Sequence, residues 1–160
     1  MMRRYMKKVP YIYFLLLIPW LSLLGQKPYL QFEYYTSAQG LSQNSVYAII
    51  QDKQGFMWFA TQDGLNRFDG YGFKIFRNEN HLKSTASNYI YSMAGDAHGR
   101  IWIGTTTGLA IFDPKNSSYT DVEITRDTEI NQVLRATDGS MWVAINKLGI
   151  FHFSSDGETL

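Results

Sequence analysis

Between Val46 and Phe153, short apolar runs alternate with polar turns that carry glycine. The pattern predicts strands over residues 46–51, 56–61, 65–68 and 73–77, with turns at Asp52-Lys53-Gln54-Gly55, Gln62-Asp63-Gly64 and Asp69-Gly70. Glycine supplies the positive φ that such tight turns need. A second set follows over 89–94, 101–105, 109–112 and 119–123, and a third over 130–135, 141–145 and 149–153. The sequence ends at Leu160, where the fourth strand of the third set is expected to begin. Residues 30–36, aromatic and partly alternating, also read as a strand. Runs such as Phe56-Met57-Trp58-Phe59 and Ile101-Trp102-Ile103 are apolar at every position, the pattern of strands covered on both faces.

The three sets are copies of one unit. Gly55, Gly99 and Gly139 each stand three residues before Trp58, Trp102 and Trp142, and the Trp-to-Trp steps are 44 and 40 residues. A glycine and then an aromatic follow in each copy: Gly64 and Phe68, Gly108 and Phe112, Gly149 and Phe153. Asp52 and Asp96 share one position, six before Trp, where the third copy has Ala136 and moves its acid to Asp138. A period of this size is a repeat architecture. Four short antiparallel strands in about forty residues make one blade of a β-propeller. The expected fold is all-β, about three four-stranded antiparallel blades (repeats near 45–80, 88–124 and 128–160), forming an incomplete ring preceded by an N-terminal signal helix. Propellers close with about four to eight blades. Small residues at Ala60, Gly104 and Ala144 let neighbouring blades approach near the axis. Residues 32–36 resemble the outer strand 73–77, and so look like an outer strand with no blade before it. An isolated 26–160 segment is expected to aggregate through its uncovered blade face.

The first 25 residues differ in kind. Arg3, Arg4, Lys7 and Lys8 precede an apolar run from Tyr11 to Leu24, and Gly25-Gln26 follows. This reads as a signal peptide over 1–25, with an uncleaved signal-anchor as the alternative. A run of about fourteen residues is short of the roughly twenty that span a bilayer. Either reading places 26–160 across the membrane.

Charge and composition narrow the chemistry. The chain has 160 residues, 45% apolar and 16% aromatic, with net charge +1. From Gln26 onward eleven basic residues face fourteen acidic ones, which argues against nucleic acid as a partner. There is no cysteine, hence no disulfide framework, thiolate metal site or lipoprotein-type anchor. His81, His98 and His152 share no metal-ligand spacing, and no phosphate loop or nucleophile elbow is present. No catalytic, cofactor or metal residue is assigned. Trp58, Trp102 and Trp142 are candidates for stacking on sugar rings, but their recurrence inside apolar strands favours core packing. Asp52 and Asp96 are candidates for an acid–base pair, but equivalent turns of different blades favour turn capping. Asn116-Ser117-Ser118 matches a glycosylation sequon. The polar loop 78–88 is a candidate ligand contact, set against a merely solvated connection.

Three stretches carry a family resemblance: Gly40-Leu41-Ser42-Gln43-Asn44-Ser45-Val46-Tyr47, Gln51-Asp52 through Gly55-Phe56-Met57-Trp58-Phe59, and Asp63-Gly64-Leu65-Asn66-Arg67-Phe68-Asp69-Gly70. They resemble the two-component regulator propeller repeat, and the likeness covers about Phe32 to Phe153, weakest in the third copy. The resemblance implies the amino-terminal part of the periplasmic sensor of a hybrid histidine kinase, tethered in its parent to the inner membrane. It implies an oligosaccharide ligand, a homodimeric parent and further blades as partners. Family members add a β-sandwich, a kinase, a receiver and often an AraC-type DNA-binding domain, none of whose motifs lies in these residues. No activity is expected of the segment alone. A propeller for adhesion or assembly, and a propeller enzyme such as a lyase or quinoprotein dehydrogenase, are the competing classes. The enzyme would need blade-specific acidic, basic or calcium-binding residues.

Overall fold

The computed structural model describes residues 30–78 and 87–154. The expected signal segment, His81 with most of its loop, and the fourth strand of the third copy lie outside them. The chain divides into Met1–Tyr34 and Tyr35–Leu160. Of the first unit, residues 30–34 are exposed and have no regular structure.

The second unit is three antiparallel sheets in chain order. The first runs β1 (Val46–Gln51), β2 (Met57–Thr61), β3 (Gly64–Phe68), β4 (Phe73–Phe76). The second runs β5 (Ile90–Gly95), β6 (Ile101–Thr105), β7 (Leu109–Asp113), β8 (Ser118–Asp121). The third has β9 (Ile130–Arg135), β10 (Met141–Ile145) and β11 (Gly149–Phe153). Each sheet is a meander joined by tight turns, one blade per sequence repeat. Gly55, Gly99 and Gly139 hold the first turn of each blade in the left-handed region, at φ 92°, 82° and 91°. Gly64 and Gly149 open β3 and β11, and Gly108 immediately precedes β7, its carbonyl accepting the Thr105 amide at 3.0 Å.

The sheets meet through their first and second strands: β1 lies beside β5, β5 beside β9, and β2 and β6 lean on the first strand of the following blade. Two cores fill the seams. Trp58, Ala60, Leu65 and Phe76 of the first blade pack on Ile90, Met93, Ile101, Ile103 and Phe112 of the second. Trp102, Leu109, Ile111 and Val122 pack in turn on Ile130, Val133, Met141, Val143, Ile145 and Phe153. Burying an indole removes roughly 200 Å² from water, worth at most about 5 kcal/mol, so the two seam tryptophans dominate this packing. Gly104 shows how close the blades come. A Cβ placed there would lie 2.6 Å from Ile130 Cγ2 and 2.8 Å from Ser92 Oγ.

The strand expected over 30–36 is absent. Ladder hydrogen bonds need a neighbouring strand, and no described strand pairs with this segment. Instead Thr36 caps a 3-10 turn, Ser37–Gln39, through a capping box with Gln39. The strand expected over 119–123 stops at Asp121, and a second 3-10 turn, Glu123–Thr125, turns the chain towards the third blade.

Candidate functional site

Trp58 and Trp102 are wholly buried and are not available to a ligand. Their Nε1–H groups donate to Asp52 Oδ2 at 2.8 Å and Asp96 Oδ2 at 3.3 Å. The other oxygen of each carboxylate caps the turn. Asp52 Oδ1 accepts the amides of Gln54 and Phe56, and Asp96 Oδ1 those of His98 and Arg100. Arg100 adds an ion pair to Asp96 at 2.6 Å. Burial pushes the Asp96 carboxyl up, but the Arg100 amide, its guanidinium and the Trp102 indole together hold it below the usual carboxylate range. The two aspartates therefore act separately, each within its own blade. Sequence reasoning anticipates the turn cap but not the bond to the indole; the six-residue Asp-to-Trp spacing in two copies is the signal for it.

The third copy departs. Ala136 supplies no carboxylate, and Trp142 instead stacks on His152, with ring centroids 4.2 Å apart. Asp138 caps its own turn through the amide and hydroxyl of Ser140. His98 is exposed in its turn. Phe68, Phe112 and Phe153 stand at one position of the repeat, and each faces back along the chain. Phe112 receives Trp58 at 5.7 Å, Phe153 receives Trp102 at 5.8 Å, and Phe68 receives Tyr35 at 4.9 Å.

What varies between blades is a better guide to binding than what repeats. In every blade the first strand slips by one residue against the second, between Val46 and Ala48, between Ile90 and Ser92, and between Ile130 and Gln132. Such bulges re-aim a side chain. The extra residue is Tyr47, Tyr91 and Asn131, so the scaffold repeats while the side chain changes. Tyr47 and Tyr91 meet at 5.5 Å, and Tyr89 joins them at 5.5 Å from Tyr47 and 4.7 Å from Tyr91. Gln62, in the turn after β2, donates through Nε2 to the hydroxyls of Tyr47 at 2.6 Å and Tyr89 at 2.8 Å, and the two hydroxyls are 2.8 Å apart. The Tyr89 hydrogen bond raises the Tyr47 phenol above its ordinary value, against the opposing bond from Gln62, so it stays neutral at physiological pH. Tyr47 is 42% exposed. The result is a half-open aromatic platform, held rigid by an amide and able to offer ring faces and hydroxyls together. No repeat position announces it; tyrosines two residues apart around the start of a strand, in one copy only, are the available sign in the sequence.

Among the described residues no group of His, Cys, Asp or Glu is placed to hold a metal ion, and no helix is long and apolar enough to cross a membrane.

Comparison with known proteins agrees with this architecture. The family described as two component regulator propeller matches residues 40–63 and 84–107. Histidine kinase P4 of Formosa agariphila is 46% identical over 67 residues, which is 42% of this chain and 5% of that protein. The extracellular domain assigned to a hybrid two component system of B. thetaiotaomicron superposes with TM-score 0.67 and 29% identity, over 79% of this chain and 19% of the other. A virginiamycin B lyase from Staphylococcus aureus shares the fold alone, with TM-score 0.59 and 15% identity over 72% of this chain and 40% of that one. The chain thus spans a small part of the relatives it matches. The repeated Gly-x-x-Trp turns, the blade register and these matches agree: the chain carries two copies of the two component regulator propeller repeat and is similar to the extracellular domains of hybrid two component systems.

Proposed function

We propose that this chain is part of an exported ligand-sensing propeller of a hybrid two-component system, and that its ligand is a glycan. The observation that carries the reading is the platform of Tyr47, Tyr89 and Tyr91 braced by Gln62. Exposed aromatic faces beside fixed hydroxyl and amide groups suit a sugar ring, which has an apolar face and a rim of hydroxyls. The basic and apolar segment at residues 3–24, and the likeness to extracellular domains, support export. In this reading the segment binds and does not catalyse. Further blades complete the ring, and in a homodimeric parent tethered to the inner membrane the ligand acts by favouring one arrangement over another.

The test is calorimetric titration of the protein with a panel of neutral and acidic oligosaccharides, repeated for Tyr47→Ala and Tyr91→Ala. One saccharide class should bind, and each substitution should weaken it about tenfold, the loss expected for one stacking contact. Binding that both variants retain at full strength would remove the platform from the account. A panel that never binds would remove the glycan.

A further inference from the structure

A second site lies at the opposite end of the blades, in the seam between the first and second. A pocket of about 210 Å³ there is lined by Asp52, Gln54, Phe56, Arg67, His98 and Lys115, among others. Arg67 is its unusual member. The guanidinium lies over the Phe56 ring at 4.5 Å and reaches the Trp58 ring at 5.9 Å. Its Nε is shut off from solvent and has no hydrogen-bond partner. A buried donor left unpaired carries its desolvation cost with nothing in return.

The neighbouring acids do not answer it. Asp52 is spent on two backbone amides and the Trp58 indole. Asp69 feels the Arg67 charge, but its Oδ1 accepts the Tyr71 and Gly72 amides, and no ion pair joins it to Arg67. The local surroundings add positive charge instead. Lys74 stands directly across from Arg67 on the adjacent strand, and Lys115 faces it over the seam. Like charges in directly opposed strand positions are destabilising on their own. Nor does the fold require a cation here. Arg67 pairs across the sheet with Trp58, and the residues in that place opposite Trp102 and Trp142 are Ile111 and His152. An aliphatic side chain fills the position in the second blade.

We propose that this pocket seats one oxyanion, a carboxylate or sulfate group, gripped by the Arg67 fork and closed by Lys115. A guanidinium binds such groups through paired N–H donors, here the outer Nη groups, which unlike Nε are not shut off. The volume is below the roughly 300 Å³ at which whole-ligand pockets begin, so the pocket takes a single charged group of a ligand that continues along the seam. The seat stands independently of the tyrosine platform, and its failure would leave the platform untouched.

The experiment follows the Arg67 Nε–H resonance by NMR while sodium sulfate, sodium glucuronate or glucose is added at constant ionic strength. A saturable shift with sulfate or glucuronate, and none with glucose, is the expected result. Sulfate alone identifies a sulfate seat, and glucuronate alone a sugar carboxylate. Arg67→Gln should weaken the binding at least about tenfold, and Lys115→Gln about threefold. Should Arg67→Gln fail to fold, Arg67→Lys, which keeps the charge but loses the fork, takes its place. A shift that rises linearly without saturating, or affinity unchanged in both the Arg67 and Lys115 variants, overturns the proposal.

Discussion

Trp102 and Trp142 hold the same place in successive blades and live in different surroundings. Trp102 is fully buried, bonded to Asp96 and capped by Phe153 of the next blade. Trp142 is 42% exposed, has no carboxylate at its repeat position and lies on His152 of its own blade. Around it Leu134 and Ile150 are 58% and 71% exposed. On the other side of the same sheet, Met141, Val143 and Phe153 are completely buried. One blade thus shows both conditions. The difference teaches that burial here is not a property of a blade but of a seam, because each blade's tryptophan is covered by its successor's phenylalanine.

The comparison can be broken most directly at the two indoles. Trp102→Ala should cost about 3–5 kcal/mol in urea unfolding, as for other buried large-to-small changes. Trp142→Ala should cost less than about 1.5 kcal/mol, since much of its ring is already in water. Equal midpoints for the two variants would abolish the distinction between seam and open face. Asp96→Ala comes next, at about 2–4 kcal/mol, because it leaves the buried Trp102 indole N–H unpaired and takes the carboxylate from two turn amides and the partly exposed Arg100 guanidinium. Its effect has a pH signature. The folded Asp96 carboxyl is held low, so its contribution is complete above the unfolded value near about 3.9 and is lost as pH falls through the folded one. The gap between wild type and variant should therefore close in acid below about pH 4; a gap that is constant from pH 7 to 2 would count against the ion pair.

A smaller effect sharpens the seam itself. Gly104→Ala forces a methyl against Ile130 and should cost about 1–3 kcal/mol, whereas Ala144→Gly, at the equivalent place on the open side, should cost about 1 kcal/mol or less. The smallest change runs the other way. Ala136→Asp restores the aspartate that the third copy lacks and should add about 0.5–1 kcal/mol by capping the turn and meeting the Trp142 indole. No gain in thermal midpoint would mean that His152 stacking already holds the ring elsewhere.

Much of this fold was legible because it is written three times. The Gly-x-x-Trp spacing locates the turn, the second strand and the tryptophan in every copy, and periodicity places the blades in order. The likeness of residues 32–36 to 73–77 is instructive because it misled about strand and informed about position. No strand forms, yet Tyr35 packs on Phe68 at 4.9 Å as Phe76 packs on Phe112 at 5.0 Å. The Ser37 amide donates to Asn44 Oδ1 as the Asn78 amide donates to Asn88 Oδ1. The entering chain thus meets the first blade as one blade's end meets the next, before any partner gives it a ladder. The tyrosine platform was not legible. It depends on a one-residue slip in strand register, which no single residue announces, and on Gln62 reaching back from a turn fifteen residues away. Arg67 hid for a related reason: within the quoted motif it looks like any charged residue beside a turn, and only the register sets it across from a tryptophan and a lysine.

The bond between aspartate and indole also gives the molecule a clock. A buried indole N–H held by a carboxylate exchanges with deuterium only when its blade opens, so it reports the free energy of that opening. Trp58 and Trp102 carry such protons in successive blades, and Trp142 has no such carboxylate to hold its own. Transferred to heavy water, the protein should lose the Trp142 indole signal at once and the other two slowly. The order in which those two fade would say which seam parts first.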